Sequence, residues 1–123
     1  SVTQPVEAQF AAYNAHDLDA FVACFAPDFK GYRMPTETPS TVGRALRAFY
    51  AQHRFNNPLL KAELLSRTVL GNKVFDHEKI HGLSPEPIES VAVFEVKEGL
   101  IQTAWFYSLP ERRYTGLPAT KLV

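Results

Sequence analysis

Three ionisable residues in a row, Asp76, His77 and Glu78, stand in the middle of a predicted strand, residues 73–82. Asp and Glu are poor strand formers, and ionisable side chains resist burial unless they are paired, so this run is the first candidate for chemistry. In a strand, successive side chains alternate between two faces. Asp76 and Glu78 therefore share one face, and His77 lies on the other.

Two catalytic interpretations of this run are open, and the inward face decides between them. An inward His77 could act as a general acid or base, because imidazole titrates near neutral pH. Inward Asp76 and Glu78 could form a paired-carboxylate site, with one carboxyl ionised and the other protonated. In a third interpretation the three residues only form salt bridges, across strands or across a dimer.

Helical periodicity in the first half of the chain predicts the elements that must position this run. Residues 5–27 are predicted to form a helical hairpin in which Asp17 is the N-cap of the second helix. A short strand is expected over residues 29–34, followed by a loop over residues 35–41, PTETPST. A third helix is predicted from Gly43.

Period-two alternation after Pro58 predicts four strands joined by short turns, which make an antiparallel meander. The predicted strands are 60–70, 73–82, 88–96 and 100–109. Neither face of these strands is consistently polar, so we expect one face to be covered by the helices and the other by a second subunit. The sequence therefore predicts a homodimer through the sheet. The segment from Pro110 lacks periodicity and is expected to be irregular.

Composition narrows the classes of function. A length of 123 residues fits a single domain, and 13 Lys and Arg balance 13 Asp and Glu, so the charge that nucleic-acid binding needs is missing. Cys24 is the only cysteine, which excludes an internal disulfide and suits a reducing cytoplasm. No apolar run approaches the roughly 18 residues of a membrane span, and the first residues do not resemble a signal peptide. We expect a cytoplasmic protein without nucleic-acid or membrane partners.

Metal and cofactor chemistry are not expected either. His77 and His81 are four strand residues apart, about 13 Å, which is too far for two imidazoles to share one ion. The sequence shows no glycine-rich phosphate loop, serine nucleophile motif or CXXC pair. Covalent and nucleotide chemistry are therefore disfavoured.

The order of these elements resembles the cone-shaped α+β fold of the nuclear transport factor 2-like superfamily, also described as a cystatin-like roll. AAYNAHDLDAFVACFAPDF resembles its N-terminal helical hairpin, VGRALRAFY its third helix, and VFDHEKIHG with VAVFEVKEGLIQTAWFY its last three strands. The resemblance covers residues 6–109 and is closest to the bacterial SnoaL-like and steroid-isomerase-like branch. It implies one domain over residues 1–123, with three N-terminal helices packed on a curved, mainly antiparallel sheet around an apolar cavity.

The chain departs from the steroid isomerases of that branch at their catalytic positions. Their catalytic Asp falls on Arg33, which cannot accept a proton, and their oxyanion-stabilising Tyr falls on Gln9. Their second Asp falls on or near Val91 or Ala92. The resemblance thus implies a cavity without steroid isomerase activity by that mechanism, since the fold hosts isomerases, cyclases, hydratases, epoxide hydrolases and non-catalytic proteins.

The resemblance also gathers aromatic and polar residues near the expected cavity mouth, a combination that suits a flat, partly polar organic ligand. The candidate catalytic residues are His77, Asp76, Arg33 and Tyr32. The candidate ligand-binding residues are Tyr13, Tyr50, His53, Glu78, Trp105 and Tyr107. Arg33 could hold a carboxylate or enolate oxygen, or could form a structural ion pair with Asp76, Glu78 or Glu37.

The predicted function is the binding of a small, largely apolar organic molecule in the cavity. Cofactor-free acid/base chemistry, such as isomerisation, cyclisation or hydration, is the expected reaction class if the protein is an enzyme. The alternative is a non-catalytic ligand-binding or dimerisation module whose polar residues only satisfy one another. In that case His53 and the aromatic residues are ordinary packing residues in the core or at its edge.

Overall fold

A computed structural model of the chain describes residues 1–109, which form an α+β fold with three helices and a six-stranded sheet. The helices are α1 (Gln4–Ala15), α2 (Leu18–Val22) and α3 (Ala45–His53). The strands are β1 (Phe25–Arg33), β2 (Thr41–Val42), β3 (Lys61–Leu70), β4 (Lys73–His81), β5 (Ile88–Lys97) and β6 (Leu100–Ser108). The expectation for the segment from Pro110 falls outside the described residues.

The four predicted strands of the meander are confirmed, with ends that agree within about a residue. They occupy one side of the sheet, whose order is β2-β1-β6-β5-β4-β3, and consecutive members pair antiparallel. Gly71 and Gly99 occupy the turns with φ of 59° and 79°, a left-handed backbone that glycine adopts without strain. Turn chemistry at these two positions therefore ends the strands where the sequence predicts.

Three predictions for residues 16–42 were wrong in detail. Helix α2 ends at Val22, and β1 begins at Phe25, so Pro27 lies within the strand and does not stop the helix. The β1–β6 pairing is parallel and changes register between Phe25 and Lys30, so Pro27 sits where the ladder is interrupted and its missing N–H is tolerated. The predicted loop 35–41 runs into the short strand β2.

The turn between α1 and α2 ties the helices to the sheet. Asp17 is the N-cap of α2, as predicted, and accepts a hydrogen bond from the Ala20 N–H at 3.1 Å. His16 lies in the turn, but its side chain packs against the protein. Its Nε2 lies 2.7 Å from the Leu60 carbonyl oxygen, and its ring stacks on Phe55. These contacts set the hairpin against the start of β3.

The core lies between the helices and the inner face of the sheet. Along β4, Val74, Asp76, Glu78 and Ile80 are all buried, and the residues between them are only partly buried. The side chain of Asn14 bridges α1 to β3 by bonding both backbone groups of Ala62, at 3.0 and 2.7 Å. These two bonds hold α1 against β3, the neighbour of β4 in the sheet. Within residues 1–109, the helices are too short or too polar to cross a membrane.

Candidate functional site

A cleft lies between the helices and the inner face of the sheet, with about 30 Å³ of enclosed space and about 440 Å³ when the part open to solvent is counted. Most of its wall is aromatic, contributed by Phe10, Phe21, Phe25, Phe94 and Phe106. Its polar lining residues are Gln9, Tyr13, Tyr50 and Glu78. A largely apolar cavity with a few polar groups is the usual form of a small-molecule site.

Asp76 is fully buried and paired with an arginine from the neighbouring strand. Arg67 lies opposite Asp76 in the β3–β4 register and donates to both carboxylate oxygens, Nε to Oδ1 at 2.7 Å and Nη2 to Oδ2 at 2.9 Å. Glu7 of α1 approaches the Nη1 atom of Arg67 at 3.7 Å. A buried carboxylate is stable only with such a partner, so this bidentate ion pair with Arg67 holds Asp76 in its charged form.

Glu78 is buried at 7% exposure on the same face, two residues along the strand, but without a partner of this kind. Burial raises its pKa to about 8, the negative charge of Asp76 adds to the shift, and Arg67 opposes it. Within residues 1–109, no group hydrogen-bonds to its carboxyl. Glu78 is therefore mostly protonated at pH 7 and presents an acid to an aromatic cavity.

Ser90 adds a second uncommitted polar group beside Glu78. It lies opposite Glu78 in the β4–β5 register and is 3% exposed. Its hydroxyl has no hydrogen-bond partner within residues 1–109. Buried polar atoms are nearly always hydrogen-bonded in folded proteins. The Ser90 hydroxyl is therefore a hydrogen-bonding group that the fold itself does not use.

Two tyrosines face the cavity from α1 and α3. The rings of Tyr13 and Tyr50 lie 6.4 Å apart edge to face. Burial is the main cause that raises the pKa of both phenols, and Glu78 adds to it, whereas the positive charge of Arg54 opposes it. Both hydroxyls thus stay protonated in the working pH range and can donate hydrogen bonds.

Arg54 is a functional candidate that the sequence analysis missed. It is 1% exposed, its Nη1 donates to the His53 carbonyl oxygen at 2.8 Å, and its guanidinium lies 4.9 Å from the centre of the Phe49 ring. A signal was available, because Arg54 follows the buried Tyr50 by four residues at the C-terminal end of α3, where its backbone N–H donates to the Tyr50 carbonyl oxygen at 3.1 Å. The charges of Arg33 and Arg54 both act on Tyr50, which places them on that side of the cavity.

The structure places His77 away from the cavity. Its side chain is on the outer face of the sheet, where Nε2 lies 2.7 Å from Oε2 of Glu89 on β5. The interpretation in which His77 points inward is therefore wrong, since alternation along β4 sends Asp76 and Glu78 to the inner face. The carboxylates point inward, as the second interpretation requires.

Three aromatic candidates also lie on the outer face, so their expected place at the cavity is corrected. On β6, Ala104 is buried and Phe106 lines the cavity, which turns Trp105 and Tyr107 outward. Tyr32 stacks on Trp105 with ring centres 6.3 Å apart and an interplanar angle of 13°. Tyr107 is 46% exposed. The outer face thus holds an aromatic surface of its own.

His53 does not line the cavity. It is exposed at the end of α3 and packs its ring against Phe49 at 5.3 Å. The cavity therefore retains Tyr13, Tyr50 and Glu78 from the predicted ligand-binding set. Within the part of the chain that the structure describes, no three His, Cys, Asp or Glu side chains are grouped so that they could hold a metal ion.

Known structures share this architecture. A cystatin-fold protein from Novosphingobium aromaticivorans superposes with a TM-score of 0.78 at 24% identity, covering 86% of this chain and 97% of that one. A nuclear transport factor 2-like protein of unknown function from Cytophaga hutchinsonii gives 0.73 at 15% identity over 93% and 95%. An LEH-like epoxide hydrolase from M. tuberculosis gives 0.72 at 18% identity over 88% and 82%. At these identities the likeness shows the fold alone.

Sequence comparison supplies the family. A search of curated proteins finds no match to the chain. The model of the SnoaL-like domain, by contrast, matches residues 6–104, which include both carboxylates, most of α1, and all of α2 and α3. The chain therefore belongs to the SnoaL-like domain family.

Proposed function

We propose that this protein binds a small, largely apolar organic molecule in the aromatic cavity and exchanges a proton with it through Glu78. The observation that carries the proposal is the Glu78 carboxyl, 7% exposed at the cavity wall, whose pKa is raised to about 8 mainly by burial. An acid with a pKa near the working pH is well suited to proton transfer in either direction. The reaction class is cofactor-free isomerisation, cyclisation or hydration.

Asp76 and Glu78 have different roles in this proposal. Arg67 holds Asp76 as a fixed negative charge, which helps Glu78 to keep its proton at neutral pH. The hydroxyls of Tyr13 and Tyr50 are placed to donate to an oxygen on which negative charge develops. Among proteins of this fold, the LEH-like epoxide hydrolase from M. tuberculosis supports the proposal of an enzymatic function.

The test uses 2-tetralone, a bicyclic ketone whose protons next to the carbonyl exchange slowly with D₂O. We expect the wild-type protein to speed this exchange, followed by proton NMR, with a rate that rises as Glu78 ionises near pH 8. Glu78→Gln should lower the exchange rate at least ten-fold, because an amide cannot carry the proton. Binding of 2-tetralone without faster exchange would instead support the non-catalytic alternative.

Matched variants on β5 separate the cavity from the rest of the sheet. Ala92 lines the cavity, so Ala92→Leu should fill it and abolish binding and exchange of 2-tetralone without unfolding the protein. Val91 faces the outer groove on the same strand, so Val91→Leu should leave both unchanged. Equal behaviour of the two variants would place the reaction elsewhere.

We also propose that a second copy of the chain covers the outer face of the sheet. Its aromatic surface comprises Tyr32, Phe75, Trp105 and Tyr107. Lys73 and Glu95 lie 3.7 Å apart near this surface, and His77 pairs with Glu89, so a two-fold partner would meet both signs of charge. Apolar rings left open in this way favour self-association.

Trp105→Glu should convert the proposed dimer into monomers, because it would bury a charge against aromatic rings. Analytical ultracentrifugation at micromolar concentration should give twice the chain mass of 13.8 kDa for wild type and the single-chain mass for the variant. Leu59→Glu is the control, since Leu59 is 74% exposed outside the sheet and should leave the mass unchanged. A wild-type mass of one chain refutes the interface.

The cytoplasm is the location we propose for this protein. Cys24 is a free, buried cysteine whose thiol donates to the Ala20 carbonyl oxygen at 3.4 Å. Burial raises the pKa of this thiol, which keeps it from reacting as a thiolate. A single protected thiol suits a reducing compartment.

A further inference from the structure

Gln9 brings a hydrogen-bond acceptor to the cavity. It lies on α1, is 6% exposed and lines the cavity wall. Its Nε2 donates to the Val6 carbonyl oxygen one turn back at 3.0 Å. A carbonyl oxygen can only accept, so this bond fixes the orientation of the Gln9 amide. With the nitrogen bonded to the helix backbone, Oε1 has no hydrogen-bond partner within residues 1–109 and is available to a ligand in the cavity.

The other polar lining groups of the cavity can all donate. Glu78 is mostly protonated at neutral pH, and Tyr13 and Tyr50 keep their hydroxyl protons. These groups can rotate to donate to an acceptor on the ligand, and their oxygens can also accept. Gln9 Oε1 can only accept a hydrogen bond, so a ligand without a donor leaves this buried oxygen unpaired.

The aromatic walls limit the shape of what can bring that donor. Phe21 packs against Phe25 with ring centres 4.9 Å apart and against Tyr50 at 4.6 Å, and Phe94 meets Phe106 edge to face at 6.4 Å. Rings arranged in this way offer faces and edges to a flat, conjugated molecule. A planar ring system with a polar substituent therefore fits both the walls and the amide.

We propose that Gln9 is a specificity residue that selects flat ligands carrying a hydroxyl or N–H donor, so that the substrate class is a small hydroxylated aromatic or conjugated carbonyl compound. The inference rests on the proposed ligand-binding function of the same cavity. Gln9 Oε1 accepts from the ligand donor, while the protonated Glu78 carboxyl and the tyrosine hydroxyls donate to its acceptors. Selectivity against a ligand without the donor arises because the Gln9 oxygen is then buried unpaired.

Three probes with one ring system test this assignment: 2-naphthol carries a donor, 2-methoxynaphthalene only an acceptor, and naphthalene neither. By isothermal titration calorimetry at pH 7, we expect wild type to bind 2-naphthol at least ten-fold more tightly than either of the others. In Gln9→Met, which keeps the length of the side chain, this preference should shrink to about three-fold or less. Gln4→Met, an exposed position on the same helix, should keep the wild-type preference.

Each contrary result has a separate meaning. Equal wild-type affinity for the three probes overturns the assignment to Gln9 and leaves ligand binding intact. A preference that persists in Gln9→Met would mean that another residue recognises the donor, which also overturns the assignment to Gln9. No binding of any probe contradicts the ligand-binding proposal itself. The wild-type comparison stands even if Gln9→Met fails to fold.

Discussion

Glu78→Gln should flatten the dependence of the protein's stability on pH. Folding raises the pKa of Glu78 from 4.5 to about 8, so between these values the folded state holds a proton that the unfolded chain releases. The stabilisation from this group is full below pH 4.5 and is lost as pH rises through 8. At 1.36 kcal/mol per unit, the loss in wild type is about 5 kcal/mol at most, and the neutral amide has none.

Urea unfolding at pH 5 and pH 8.5 measures this difference. The free energy of unfolding of wild type should fall by several kcal/mol more than that of Glu78→Gln over this interval. Glu86→Gln, on the exposed connection between β4 and β5, should follow wild type. Parallel pH dependences in wild type and Glu78→Gln would show that Glu78 is not held protonated by the fold.

Arg67→Met should be the most destabilising single change to the polar site. It leaves Asp76, which is 0% exposed, without the bidentate arginine that compensates its buried charge. Such a loss lowers the free energy of unfolding by about 3–5 kcal/mol. The double variant Arg67→Met/Asp76→Leu removes both charges and should recover to within about 1 kcal/mol of wild type. Chemical denaturation of the two variants side by side measures the difference.

Glu7→Gln is the matched control for the same arginine. Glu7 is 61% exposed and 3.7 Å from Arg67, so its loss should change the stability by less than about 0.5 kcal/mol. A double variant as unstable as Arg67→Met alone would contradict the account, because the cost would then come from packing and not from the unpaired Asp76 charge. The double variant should also keep the pH dependence due to Glu78, since burial is the largest cause of its shift.

The sequence predicted the meander and the alternation of Asp76, His77 and Glu78, because both depend on local pattern and turn residues. It also contained an unused signal for the inward face. Lys79 shares a face with His77, and lysine is rarely buried, whereas Val74 and Ile80 share the face of the two carboxylates. Those neighbours favour the orientation that the structure has.

Other features depend on contacts between distant segments. On β6, Phe106 and Trp105 are both large and aromatic, so composition alone does not tell the cavity face from the outer face. The partner of Asp76 depends on the β3–β4 register, which shifts between Leu64 and Ser66 before Arg67. The parallel pairing of β1 with β6 joins the two ends of the fold and leaves no local signal.

The most direct test of the account is the titration of Glu78 itself. The side-chain carboxyl ¹³C resonance of Glu78, assigned by its absence in Glu78→Gln, can be followed by NMR from pH 3 to pH 10. The account predicts a midpoint near pH 8, because burial in the aromatic cavity beside Asp76 favours the protonated form. A midpoint near 4.5, the ordinary value for a glutamate, would contradict the claim that this cavity holds a protonated acid at neutral pH.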